Sequence, residues 1–279
     1  MLTVAQEPPL LRIHPGQSTV ASRLREVWAH KELLHFLTRR DIQVRYKQTA
    51  LGAAWAVLQP VLTMAVFSVF LGALAKVPSD GIPYPVFVFC GLVPWQLFAY
   101  ALGGSANSLV ANERLVSKVY FPRLTLPMSA VLAGLVDFAI ALASLFVLMA
   151  LYGLRPTWAI LTLPLFTLLA VATAIAVGLG LSALSVRYRD VRHALPFLTQ
   201  SWLFATPIAY PSSLLPERFR PLYGLNPMAG VVEGFRWALL GQGNPPGALI
   251  LVSTSVVVLG LALSLLYFVR VERSFADII

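Results

Sequence analysis

The sequence predicts an all-α integral membrane protein: six spanning helices, an N-terminal amphipathic helix at the membrane interface, and short re-entrant helices before the last span. Three observations carry this. Hydrophobic residues make up 58% of the chain and charged residues only 12%, where soluble domains carry about 25% charge. The charge is segregated, leaving uncharged runs over 48–75, 81–112, 156–186, 193–216 and 237–269. Each run reaches the roughly 20 residues that a spanning helix needs. A sixth apolar segment, about 125–153, is broken only by Asp137.

In chain order, residues 1–28 mix Pro, Gly and Ser with scattered charge and read as a tail. Over 29–48 the pattern changes. Leu33, Leu34, Phe36, Leu37 and Val44 share one face of a helical wheel, interrupted by Arg40, Asp41 and Lys47. A basic amphipathic helix lying on the membrane surface fits, with Arg40 and Lys47 snorkelling. From residue 49 to the end the sequence reads as a single six-helix membrane domain, with spans near 52–75, 85–110, 126–152, 158–185, 194–211 and 248–269.

Orientation follows from the cations. Of 21 lysines and arginines, only Lys76, Arg155, Arg218, Arg220 and Arg236 fall on the side away from the N-terminal tail. The positive-inside rule therefore puts both termini in the cytoplasm. The net charge of +9 reflects that topology and contact with anionic lipid headgroups rather than nucleic acid. The first apolar run starts after eight basic residues and is long enough to anchor itself, so no cleaved leader is expected.

The connections carry the candidate function. After the second span, residues 112–124 offer a short charged helix that Pro122 and Pro127 end. Neither this loop nor 187–193 has room for a soluble enzyme domain. Residues 212–243 are cut by Pro216, Pro221 and Pro227 and bounded by glycines. Two apolar half-helices that enter the outer leaflet and turn back would satisfy that pattern. Glu233 and Arg236, three residues apart, can pair on one helical face.

Several chemistries are excluded. No lysine follows Gly or precedes Ser or Thr, so a phosphate-cradling P-loop is absent. His14, His30, His35 and His193 are scattered, and Cys90 is the sole cysteine, so neither a metal cluster nor an intrachain disulfide is expected. The membrane-embedded ionisable residues are Asp137, Glu233 and Arg236, a thin set for catalysis that leaves a membrane glycosyl or acyl transferase as the remote alternative. An intramembrane Asp137 is a site candidate by default, with helix packing at a subunit contact as the other reading.

Four stretches together resemble the permease subunits of ABC-2 type exporters of lipid-linked polysaccharides such as O-antigen, capsule or teichoic acid. They are RRDIQVRYKQTALGAAWAVLQP (39–60), SKVYFPRLTLPMSAVLAGLVDF (117–138), YRDVRHALPFLTQSWLFATPIAYP (188–211) and NPMAGVVEGFRWALLG (226–241). The resemblance implies a homodimeric permease in the bacterial inner membrane, served by two separate ATPase subunits that hold the ATP and Mg, with no cofactor on this chain. It implies an undecaprenyl-diphosphate-linked cargo, most simply O-antigen; capsule, teichoic acid or another lipid or drug cargo is the alternative.

By the same resemblance, Glu113, Arg114, Lys118, Tyr120, Phe121 and Arg123 couple to the ATPase. The segment holding Glu233, Phe235, Arg236 and Trp237 forms the extracytoplasmic gate, which we expect to be a loosely held plug. Trp95, Phe98, Tyr100, Trp202, Phe204 and Tyr210 are candidates to line the channel, although an aromatic belt at the membrane interface explains such residues equally well. Arg39, Arg40, Arg45 and Lys47 are placed to attract a lipid diphosphate at the entrance, and bulk anionic lipid would call for the same residues.

Overall fold

The computed structural model describes residues 19–47, 52, 54–241 and 247–275, the side chain of Glu217 excepted. All regular structure among them is helical. In order it comprises α1 (Val20–Ala29), α2 (Lys31–Tyr46), α3 (Ala54–Phe67), α4 (Tyr84–Ala111), α5 (Glu113–Lys118), α6 (Thr125–Leu151), α7 (Leu163–Arg187), α8 (Asp190–Ala205), α9 (Arg220–Tyr223), α10 (Pro227–Leu240) and α11 (Gly247–Val271). A π-helical stretch, Ser68–Leu74, continues α3, and a 3-10 turn, Trp158–Thr162, leads into α7.

Helix α4 is the hub. It is apolar on every side, and a helix without a polar face is stable only when surrounded. Every residue from Val86 to Trp95 is buried, against α6, α7, α10 and α3. Small residues let the backbones approach: a Cβ added at Gly178 of α7 would lie 2.7 Å from that of Ser105, so the contact requires glycine there. A second core closes the end of the bundle where α1, α2, α5 and the end of α11 meet, with Val27, Leu37, Val116, Phe121, Phe268 and Phe275 packed together.

Among the described residues, five helical segments are long and apolar enough to cross a membrane: Ala54–Leu74, Tyr84–Ala111, Thr125–Leu151, Trp158–Arg187 and Gly247–Ser274. The sixth expected span, 194–211, is corrected. Helix α8 has 16 residues, about 24 Å, short of a hydrocarbon core of roughly 30 Å. It stops at Thr206, which is extended because Pro207 follows it. The chain then runs on without helix until Ala209 accepts a hydrogen bond from the Tyr84 hydroxyl at 2.7 Å, beside the start of α4.

Two more boundaries move. The expected tail 1–28 contains most of α1, which Thr19 caps by accepting from the Ser22 N–H. His30 separates α1 from α2, so the helix expected over 29–48 is α2, which begins at Lys31 and ends at Tyr46. Of the two expected half-helices in 212–243, only the second forms. Pro211, Pro216 and Pro221 reduce the first to 3-10 turns and the four-residue α9. Asn226 caps α10 by accepting from the Met228 N–H at 3.1 Å, Pro227 opens it, and Gly241 ends it at φ +64°.

Candidate functional site

A cavity of about 380 Å³ opens between α3, α4 and α6. Trp55, Gln59, Trp95, Gln96 and Tyr100 line it, and Arg45 and Asp137 close one side. The last turn of α2 reaches α6 there. Arg45 Nη2 lies 2.5 Å from Asp137 Oδ2, and the Tyr46 hydroxyl donates to Asp137 Oδ1. The Arg45 guanidinium also sits 4.0 Å over the Tyr100 ring. Burial, and then the bond to Asp137, push the Tyr46 phenol up to about 12. Asp137 thus has its partners within the chain, supplied by the interface helix. Amides and aromatic faces around a charged corner suit a polyhydroxylated ligand better than a purely apolar one.

The four cations expected at the entrance divide. Arg39 and Lys47 are exposed. Arg40 is held by Asp41 at 2.8 Å and by Asn112 at 3.0 Å, and Arg45 by Asp137. The six aromatic candidates divide as well. Trp95 and Tyr100 line the cavity, whereas Phe98 is wholly buried between Trp95 and Trp202. Trp202 Nε1 donates to Asn226 Oδ1 at 2.9 Å, and Tyr210 pairs with Tyr223 at 2.6 Å, so both brace the segment leading into α10. Phe204 is exposed beside Phe67. Sequence reasoning missed Trp55, Gln59 and Gln96. Two glutamines, polar amides inside largely apolar spans, were the available signal.

The expectation of a loosely held plug is corrected by packing. Helix α10 is among the most enclosed elements, set against α4, α7 and α11. Arg236 is 5% exposed. It donates to Glu233 at 3.0 Å and to the Ile208 carbonyl at 2.7 Å, and lies 3.6 Å over the Phe87 ring. Phe235 is fully buried, edge-on to Phe138, so it is out of reach of a passing polymer. Trp237 is half-buried, edge-on to Trp158 and Phe166. A helix with so many buried contacts does not open cheaply.

At the other end of the bundle, α5 presents Glu113, Arg114 and Lys118 to solvent. Phe121 is buried beneath it, and Arg123 donates to the Glu272 carbonyl. Tyr120 is exposed, yet its hydroxyl donates to Glu26 at 3.0 Å. Arg23 bridges Glu26 at 2.8 Å and Glu272 at 3.3 Å. Burial works against its charge, but the two carboxylates outweigh burial and hold its pKa above the ordinary value. Half of the six coupling candidates are therefore free surface, and the rest tie that surface to α1 and to the end of α11.

A multi-pass helical bundle with an internal polar groove and a charged helix displayed at one end is the architecture of a transport subunit. The chain belongs to the ABC-2 type transporter family, whose model matches residues 32–240, from the first turn of α2 to the last residue of α10. It is similar to the O-antigen export system permease protein RfbA of Myxococcus xanthus, 34% identical over 248 residues that cover 87% of this chain and 94% of that protein. RfbA of Klebsiella pneumoniae is 30% identical over 253 residues, 89% and 95% of the two chains. The polysialic acid transport protein KpsM of Escherichia coli is 26% identical over 215 residues, 75% and 82%.

Proposed function

We propose that this chain is the permease subunit of an ATP-driven exporter that carries a lipid-linked polysaccharide of the O-antigen class across the bacterial inner membrane. One observation carries the reading: relatives named for O-antigen export align along nearly the whole chain, 87% and 89% of it. The cavity with Trp55, Trp95, Tyr100 and two glutamines gives such a polymer aromatic faces and amides to slide along. Two copies pair to enclose the path. Separate ATPase subunits, holding ATP and Mg, seat on α5 at the cytoplasmic end, where the positive-inside rule also puts both termini. The undecaprenyl diphosphate carrier enters from that side.

Deleting the gene should leave lipid-linked polymer inside the cell and none at the surface, and restoring it together with its ATPase should return surface polymer. Surface polymer of unchanged amount in the deletion strain would refute the reading. For orientation, a cysteine at Ser213 should react with an impermeant thiol reagent in intact spheroplasts, and one at Ser117 only after permeabilisation.

A further inference from the structure

A second groove, about 520 Å³, lies between α4 and α8. Helix α4 contributes Trp95, Ala99, Gly103 and Asn107, spaced by four and therefore on one face. Helix α8 contributes Arg192, Pro196, Thr199 and Gln200. Trp95, Ala99 and Leu203 also line the first cavity, so the two spaces share a wall.

The Nε atoms of Arg23, Arg192 and Arg236 are each buried without a hydrogen-bond partner. Arg23 and Arg236 nevertheless have carboxylates at 2.8 Å and 3.0 Å, whereas no carboxylate lines the groove beside Arg192. Arg40 and Arg45 have Asp41 and Asp137; Arg192 has no ion pair among the described residues. A guanidinium drawn partly out of water without a counter-ion is costly, and an anion supplied from outside removes that cost. Gly103 gives a second indication. A Cβ built there meets nothing within 4 Å, so packing does not call for glycine, although alanine would make the helix more stable by about 1 kcal/mol. What glycine preserves is the width of the groove beside Arg192.

We infer that Arg192 is the anion-binding residue of this groove, and that it takes the diphosphate joining carrier lipid to cargo; the inference rests on the proposed export of a lipid-linked polysaccharide. A guanidinium fork matches phosphate oxygens bidentately; Gln200 lines the same groove, as does Asn107, whose amide also donates to the Gly103 carbonyl at 2.8 Å. From Asn107 to Trp95 is twelve residues of α4, about 18 Å. A diphosphate held at Arg192 therefore lays the first sugars along Gly103 and Ala99 towards Trp95 and the first cavity.

The test uses the permease assembled with its ATPase in phosphatidylcholine nanodiscs, and measures retention of labelled undecaprenyl diphosphate. Arg192→Gln should raise Kd about tenfold or more, and Arg192→Lys by less. Gly103→Leu, placed where an added Cβ meets nothing within 4 Å and reaching into the groove, should abolish binding without lowering the melting temperature. Phosphatidylglycerol added to the nanodiscs should compete poorly. Unchanged affinity in both Arg192→Gln and Gly103→Leu overturns the site, and equal competition by phosphatidylglycerol makes it a seat for general anionic lipid instead. If Arg192→Gln does not fold, Gly103→Leu decides alone. Parental protein that restores surface polymer yet binds undecaprenyl diphosphate undiminished after these substitutions refutes this site only; parental protein that neither exports nor binds refutes the proposed function with it.

Discussion

Arg236 and Arg45 both meet a carboxylate within the bundle, by opposite routes. Arg236 and Glu233 are neighbours on one turn of α10, and folding buries the arginine to 5% exposure against Phe87 and the Ile208 carbonyl. Arg45 and Asp137 come from α2 and α6, meet only when those helices pack, and stay at the edge of a cavity. The local pair needs no tertiary structure to form and ends in the more enclosed place. The distant pair records how the interface helix is fastened to the bundle. Short sequence separation therefore identifies the local partner, and says nothing about how deeply the pair is set.

The sharpest way to break this contrast is at Arg236. Arg236→Gln leaves Glu233 without its cation and the buried Ile208 carbonyl without its donor, at a cost of about 3–5 kcal/mol. The variant should lose monodisperse protein at a much lower temperature in heated detergent extracts assayed by size exclusion. Arg236→Lys keeps the charge but loses the planar fork and its stacking on Phe87, so it should fall between. If Arg236→Gln melts with the parent while small solutes leak through the assembled transporter, α10 is a gate after all.

The distant pair should cost less. Asp137→Asn and Arg45→Gln each remove one partner beside a cavity that admits water, and about 1–3 kcal/mol is expected. The exchange Arg45→Asp with Asp137→Arg should recover part of the loss in a double-mutant cycle. No recovery would mean that the Tyr46 bond and packing, rather than the ion pair, fasten α2.

A smaller effect separates those two contributions. The Tyr46 phenol is raised in the folded protein to about 12, above its ordinary value near 10. A raised pKa contributes stability that is complete below about pH 10 and is lost as pH rises towards 12. Tyr46→Phe should accordingly be less stable than the parent at neutral pH, and the two melting curves should converge between pH 10 and 12. A constant difference across that window would show that Tyr46 does not hold its proton for Asp137.

These comparisons mark what could be read in advance. Segregated charge placed five crossings close to their observed limits because length and hydropathy are local quantities. The sixth failed at Thr206 and Pro207, where a proline effect on the preceding residue outweighs apolar content. Among candidate residues, the Glu233–Arg236 pair was legible from its spacing. The Arg45–Asp137 contact was not, because it depends on how α2 lies across α6. Phe235 and Phe98 were misjudged for a related reason: aromatic residues look alike in sequence whether they face a groove or fill the core, and only packing tells them apart.

A third group of charges completes the series with the smallest expected effect on the fold. Arg114 and Lys118 lie on the exposed face of α5, and neither has an ion-pair partner among the described residues. Beneath them Val116 and Phe121 are buried, and Arg123 is tied to Glu272, so the helix is anchored through other side chains. Reversing both charges, Arg114→Glu with Lys118→Glu, should leave the melting temperature unchanged, since exposed residues without partners contribute little. If α5 seats the ATPase, the same variant should lose co-purification of that subunit, and surface polymer should fall with it. Rim charges act chiefly on encounter, so the gap between variant and parent should be widest at low salt and narrow as salt rises. A doubly reversed protein that melts, assembles and exports like the parent would move the ATPase seat off α5, to another exposed basic stretch such as the turn at Arg187 and Arg189.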